Sequence, residues 1–186
     1  MEEVDFFLEH AVETMEKSLA RLSQELTKIR AGKAMPNMLD ALMVDYYGNL
    51  TPIHQVASIT TPDARTLIIK PWEKAMIGEI EKAIINSDLG LNPQNDGEIV
   101  RINIPALTEE RRIILVKQAK AAAENGKVSI RTIRKETNEQ LKILLKEGAS
   151  EDLIKNAEGK VQEHTDEYVK KIHAIFTVKE KDIMTL

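Results

Sequence analysis

From Leu8 the apolar side chains return every third or fourth position, at Leu8, Val12, Met15, Leu19, Leu22, Leu26 and Ile29. Glu, Lys, Ser and Gln fill the positions between them. This spacing predicts an amphipathic helix of about seven turns, on the order of 40 Å long. Gly32 and Pro36 end the period. A second helix is predicted from about Leu107 to Lys146, with Thr108 as N-cap and Glu109 and Glu110 in its first turn. Its seam runs through Ala123, Gly126, Ile130, Ile133, Thr137, Gln140 and Leu144. Asn125-Gly126 is a turn dipeptide, yet the stripe crosses it without a phase shift, so one continuous helix is expected. Glycine there costs about 1 kcal/mol against alanine, which a close helix contact would explain. Gly148-Ala149-Ser150 breaks the chain, with Ser150 as the next N-cap. Ile154, Ala157, Val161, His164, Tyr168, Ile172 and Ile175 then mark a third helix that ends near Ile183-Met184.

Between Ala41 and Pro105 the pattern changes from a period of 3.6 to short alternating runs. Residues 42–47 read as a strand, Gly48-Asn49 as a turn, and 56–60 and 66–70 as two further strands with Pro62-Asp63 between them. Pro71 is read as opening a helix with Met76, Ile77, Ile80, Ala83 and Ile84 on its apolar face, and residues 86–90 as ending it. Residues 92–97 read as a polar loop and 98–104 as a last strand. The predicted fold is α+β. A long antiparallel three-helix bundle, residues 1–30 plus 106–186, carries a small inserted α+β domain, residues 31–105. The two crossings, near Arg30–Pro36 and Asn103–Leu107, would lie side by side as a hinge.

Composition removes several classes of function. The chain has 186 residues and no cysteine, so disulfides and thiolate metal sites are excluded, which fits a reducing compartment. No apolar run approaches the roughly 20 residues of a membrane span. The start, Met1-Glu2-Glu3, is acidic where a secretory signal is basic, so a cytoplasmic protein is expected. The four histidines are scattered, and no nucleophile elbow, acid pair or glycine-rich nucleotide loop appears. Gly32-Lys33 does not complete a phosphate loop, because Thr27 and Ala34 stand where glycine and Ser/Thr are needed. Neither an enzyme nor a cofactor is expected.

Net charge is −4, but it is unevenly spread. Residues 106–147 carry a net +4, while every other segment is negative. At about 100° per residue, Lys120, Lys127, Arg131, Arg134, Lys135 and Lys142 project away from the seam of the second helix. Such a stripe is either a solvated face or a surface for a polyanion. Few acids interrupt it, Glu124 being the main one, and Arg131 and Arg134 suit bidentate phosphate contact. No aromatic residue interleaves the stripe, so backbone and shape contacts to structured RNA fit better than base stacking. A helical adaptor that binds protein through its seam remains the rival reading.

Several runs of the chain resemble the bacterial ribosome recycling factors. They are residues 28–34 (Lys28-Ile29-Arg30-Ala31-Gly32-Lys33-Ala34), Val44-Asp45-Tyr46-Tyr47-Gly48, Arg65-Thr66-Leu67, Ala83-Ile84 and Ser87 to Pro93. Leu107 to Arg112, Ile130 to Lys135 and the closing Ile183-Met184 continue the match in order. The resemblance implies an L-shaped molecule of bundle and β/α/β domain joined by a flexible hinge. It also implies binding as a monomer at the ribosomal subunit interface after termination, with the bundle on large-subunit rRNA. With elongation factor G and its GTP hydrolysis, such proteins split the ribosome into subunits and have no catalytic residues of their own. Arg112, Arg131 and Arg134 match the family's basic positions, with Lys120, Lys127 and Lys135 as further RNA-binding candidates. The hinge would comprise Arg30, Ala31, Gly32 and Lys33 with Ile104, Pro105 and Ala106. Two departures from the family pattern are Thr132, where asparagine is common, and Lys135, where arginine is common. Lys135 keeps the charge and loses the planar fork.

Overall fold

The computed structural model describes residues 2–185. Three long helices, α1 (Glu2–Lys28), α4 (Glu109–Lys146) and α5 (Glu151–Met184), account for one compact unit. That unit takes the residues up to Ala31 and those from Glu109 onward, and Gly32–Thr108 form the second. Within the second unit come β1 (Met43–Tyr46), β2 (Asn49–Pro52), a short α2 (Ile53–Val56), β3 (Ala57–Asp63), β4 (Thr66–Pro71), α3 (Ile77–Ile85), β5 (Pro93–Asn95) and β6 (Val100–Asn103).

In the bundle α4 runs antiparallel to both partners. Ser18 and Ser129 share a 2.7 Å hydrogen bond between α1 and α4. Arg134 Nη1 donates to Gln162 Oε1 at 3.2 Å between α4 and α5. The core includes Met15, Leu22 and Leu26 of α1, Ala119, Ile130 and Leu141 of α4, and Val161, Tyr168 and Ile172 of α5. The α4 helix passes Asn125-Gly126 unbroken. A Cβ added at Gly126 would lie 3.2 Å from Leu22 Cδ2 and 3.4 Å from Ile172 Cδ1, so the glycine lets three helices meet closely.

Two details of the predicted bundle need correction. Gln140 is exposed, and Leu141 takes its seam place at 0% exposure. An α-helix drifts about 20° per heptad from a strict seven-residue repeat, and a second successive step of four, from Thr137 to Leu141, takes up that drift. On α5, Thr165 is buried and His164 only half-buried. Thr165 is accommodated by donating its hydroxyl to the Val161 carbonyl at 2.7 Å. Ser150 occupies the N-cap position of α5 with extended backbone, but its side chain makes no capping hydrogen bond.

The small unit is a four-stranded antiparallel sheet, order β3-β4-β6-β5, with the separate hairpin β1-β2 and helix α3. Leu67 and Ile69 of β4, Val100 and Ile102 of β6, and Ile80 and Ile84 of α3 close one core with Val44 and Ile53. Here too the sequence reading needs correction at its boundaries. The hairpin turn is Tyr47-Gly48, both at positive φ (50° and 89°), and Asn49 already pairs with Tyr46. Two residues of positive φ match the twist of a tight hairpin, and the Gly48 N–H donates to Asp45 Oδ1 at 2.7 Å. Pro71 ends β4, paired with Ala57, instead of opening a helix. The Trp72 N–H donates to the Val56 carbonyl at 3.0 Å and keeps the chain extended past the proline. A 3-10 turn, Lys74–Met76, then leads into α3. Val56 lies in the short α2, and Pro62-Asp63 belong to β3. Pro93–Asn95, read as loop, pair with β6 as an edge strand, where a proline lacking its N–H is tolerated.

Candidate nucleic-acid interface

The helical period puts the α4 cations on one flank of the bundle, on the side where Arg134 meets α5. From Lys120 to Lys135 the stripe is roughly 22 Å long at 1.5 Å per residue. The surroundings of these cations differ. Lys120, Arg131 and Lys142 are exposed, and their side chains make no ion pair or hydrogen bond among the described residues. Lys127 is largely covered, its side chain 20% exposed, and pairs with Glu124 at 3.2 Å. Lys135 is exposed and stands 4.0 Å from Glu139. Surface pairs of this kind are worth little and leave the field of the stripe in place.

Arg134 is held most firmly. The residue is half-buried, and its guanidinium donates at the surface to Gln162, whose Nε2 donates in turn to Asp166 Oδ1 at 2.9 Å. That bond favours one orientation of the planar group. No pattern along the chain points to Gln162; only the antiparallel register of α4 and α5 brings it opposite Arg134.

Arg112 does not join the others. It lies two turns before Lys120, on the line of the buried seam, at the end of the bundle beyond the reach of α1. Its Nη1 is 3.5 Å from the Met184 carbonyl at the close of α5, and its Nε is enclosed with no hydrogen-bond partner among the described residues. A cation at a helix C-terminus is favourably placed against the last carbonyls.

The predicted hinge residues fall close to the two places where the chain passes between units, Ala31–Gly32 and Thr108–Glu109. Arg30, Pro105 and Ala106 are exposed, and Ala31, Gly32 and Lys33 are half-buried. Ile104 is buried in the small unit, its N–H donating to the Arg65 carbonyl at 2.8 Å. Gly32 has φ +71°, and a Cβ there would come within 2.7 Å of Leu107 Cγ. Only glycine satisfies both conditions.

Among the described residues no group of three or more His, Asp or Glu side chains could hold a metal. No helix among them is long and apolar enough to cross a membrane. A long-helix bundle with a cationic flank and a separate α+β unit defines a two-part scaffold that presents charge along one helix.

Comparison with known proteins identifies the scaffold. The family model "Ribosome recycling factor" matches residues 22–184. The chain is 54% identical over 186 residues to the ribosome-recycling factor of Cytophaga hutchinsonii, covering 100% of both chains. A solution structure of the ribosome recycling factor superposes with a TM-score of 0.78 at 33% identity, covering 100% of both chains. A chain of a structure described as models for the T. thermophilus ribosome recycling factor and the E. coli elongation factor G bound to the E. coli post-termination complex matches with a TM-score of 0.62. That match is at 44% identity and covers 98% of this chain and 99% of the other. The chain belongs to the ribosome recycling factor family, a family of translation factors.

Proposed function

We propose that this protein, acting as a monomer in the cytoplasm, splits post-termination ribosomes into subunits together with elongation factor G. In this reading the cationic flank of α4 lies on large-subunit rRNA, and the two chain crossings act as the hinge about which the small unit moves. The observation that carries it is the run of unneutralised or preorganised cations, Lys120, Arg131, Arg134 and Lys142, on one flank of α4. Lys127 and Lys135 add to the field. Arg112 enters from the far end of the helix, where it also closes α5. The recycling-factor structure described with a post-termination complex and elongation factor G supports the choice of partners. Bend points at Arg30–Lys33 and Ile104–Ala106 leave the helices themselves free to transmit force as stiff rods.

The test separates charge from fold. Arg131→Gln and Arg134→Gln are made singly and together, and binding to large ribosomal subunits is followed across a salt series. Each lost phosphate contact lowers the slope of log affinity against log salt by about 0.7–0.9. Arg131→Gln leaves stability unchanged, whereas Arg134→Gln also loses the bond to Gln162 and costs up to about 1 kcal/mol. Subunit splitting with elongation factor G and GTP falls in step with binding. Unchanged affinity and slope in the folded double variant would remove the RNA-flank model. A bundle that binds protein through apolar side chains predicts that same insensitivity.

A further inference from the structure

The small unit contains a second cationic surface that the α4 reading does not use. Strand alternation divides the four-stranded sheet into two faces. Leu67, Ile69, Val100 and Ile102 point into the core. The register pairs Thr66 with Asn103, Ile68 with Arg101, and Arg101 with Gln94, so these residues share the opposite face. Ser58 and Lys70 pair on that face as well. Arg101, Asn103, Gln94 and Lys70 are exposed.

The charge on this face runs against that of its unit. Gly32–Thr108 contain six cations and nine acids. Lys70 and Arg101 stand at outward strand positions, and Arg65 stands at the rim in the turn between β3 and β4. Apart from Asp63 at the end of β3, no acid occupies an outward strand position. Asp63 and Asp96 stand at the rims and accept the backbone N–H groups of Arg65 and of Ile99 and Glu98 respectively, which holds both carboxyls below their ordinary pKa and keeps them charged. Arg65, Lys70 and Arg101 make no ion pair among the described residues, whereas Lys74 and Lys82, off this face, pair with Glu98 and Glu79. Three of the unit's six cations, Arg65, Lys70 and Arg101, are therefore gathered on one side of an acidic unit, with Asp63 close enough to Arg65 and Asp96 close enough to Arg101 for charge attraction. Beside Arg65 a depression of 620 Å³ is lined by Asn92, Gln94 and Asn103, which add amide groups, and by Thr66 and the Asp63 carboxylate.

We infer that this sheet face is a second contact surface for an RNA phosphate backbone, engaged when the α4 flank is on the ribosome. The inference rests on the ribosomal reading above. Lys70 is diagonal to Arg101 across β4 and β6, a Cα separation of roughly 7–8 Å, so the two can serve neighbouring phosphates. The exposed amides of Gln94 and Asn103, beside Arg101, can donate to phosphate or sugar oxygens. No aromatic side chain stands at the outward strand positions, so the contact reads backbone and shape instead of stacked bases.

Two measurements on the full chain test it. First, Lys70→Gln/Arg101→Gln is titrated onto ribosomes across a salt series beside the α4 double variant. The expected result is a fall of about 1.4–1.8 in the salt slope, two phosphate contacts' worth, with the urea midpoint unchanged. Second, because the chain has no cysteine, Lys70→Cys gives a single attachment point for an iron chelate that cleaves nearby RNA. Lys82→Cys on α3 is the off-face control. Cleavage of rRNA from position 70 and much less from position 82 is expected. An unchanged slope, with the α4 variant still sensitive, overturns the sheet-face assignment alone. A reduced slope without rRNA cleavage from position 70 means the face meets protein and overturns the choice of RNA. Failure of the unmodified protein to bind ribosomes overturns this inference and the functional reading together.

Discussion

Gly126 sits in the middle of a 38-residue helix, where alanine is intrinsically better by about 0.8–1.0 kcal/mol. The structure predicts that Gly126→Ala nevertheless weakens the bundle. The new methyl would meet Leu22 Cδ2 at 3.2 Å and Ile172 Cδ1 at 3.4 Å, and these two neighbours are 3% and 0% exposed. Neither can move without displacing a third helix. Overpacking a filled core costs about 1–3 kcal/mol. The difference is a net loss of about 1 kcal/mol.

The sharper form of this prediction is a reversal of sign. Leu22→Ala alone costs about 2–5 kcal/mol because it leaves a cavity beside Gly126. In that background the methyl introduced at position 126 meets no δ-carbon of residue 22, and its contact with Ile172 is ordinary. Gly126→Ala should then stabilise by about 1 kcal/mol, the helix preference acting unopposed. The coupling between the two sites is about 2 kcal/mol, well above the roughly 0.3–0.5 kcal/mol within which independent sites add. Urea unfolding of the four proteins measures it. Far-ultraviolet circular dichroism follows mainly the bundle, which holds the three long helices. Stabilisation by Gly126→Ala of the same size in both backgrounds would refute close packing as the reason for the glycine.

Two further predictions concern the small unit. Gly32→Ala should destabilise it by about 2 kcal/mol or more, combining a left-handed backbone at about 1–2 kcal/mol with overlap on Leu107. Leu107→Ala in the same chain should recover the overlap part only, as read by hydrogen exchange of the β4 and β6 amides; wild-type stability of the single variant would contradict the account. The Tyr46 and Tyr47 hydroxyls donate to the two oxygens of Glu73 at 2.9 Å each, and those hydrogen bonds, then the carboxylate charge, hold both phenols above their ordinary pKa. A raised folded pKa makes this contribution complete below the unfolded value of about 10 and removes it as pH rises through the folded values. Titration in the phenolate absorption band should show all three tyrosines late, Tyr168 because of burial first and Glu16 second. Glu73→Gln should bring back two of them and leave Tyr168 in place, and an unshifted titration in the variant would sink the clamp.

The helices were legible because helical period is a long-range signal. Leu8 to Ile29 repeats often enough for one face to be unmistakable, and the stripe through Gly126 outweighed a local turn dipeptide. The error at Gln140 came from taking a step of three after Thr137, where the helix takes one of four to Leu141 and then three to Leu144. Signals in the small unit are short, and pairing decides them. Pro71 has the look of a first helical residue, yet the same missing N–H suits the end of a ladder beside Ala57. Pro93-Gln94-Asn95 is polar throughout and becomes a strand only because β6 offers it an edge. No local composition distinguishes such a segment from a loop.

The cationic flank was legible as a direction and not as a set of environments. Lys127 with Glu124 stands at a helical spacing that sequence can suggest, but Arg134 with Gln162 depends on how α4 is registered against α5. That register is set in the seam. Gly126 brings α4 against Ile172 of α5, and Arg134 lies eight residues on along α4 while Gln162 lies ten residues back along α5. Ser18 with Ser129 fixes α1 on the opposite side of the same turns. A change of the close approach at Gly126 therefore has two routes to function, one through stability and one through the orientation of Arg134. The two separate experimentally, because loss of stability alone leaves the salt slope of ribosome binding intact in the folded fraction. If Arg134 contacts a phosphate as proposed, its misorientation is expected to lower that slope by about 0.7–0.9 even where the protein is fully folded.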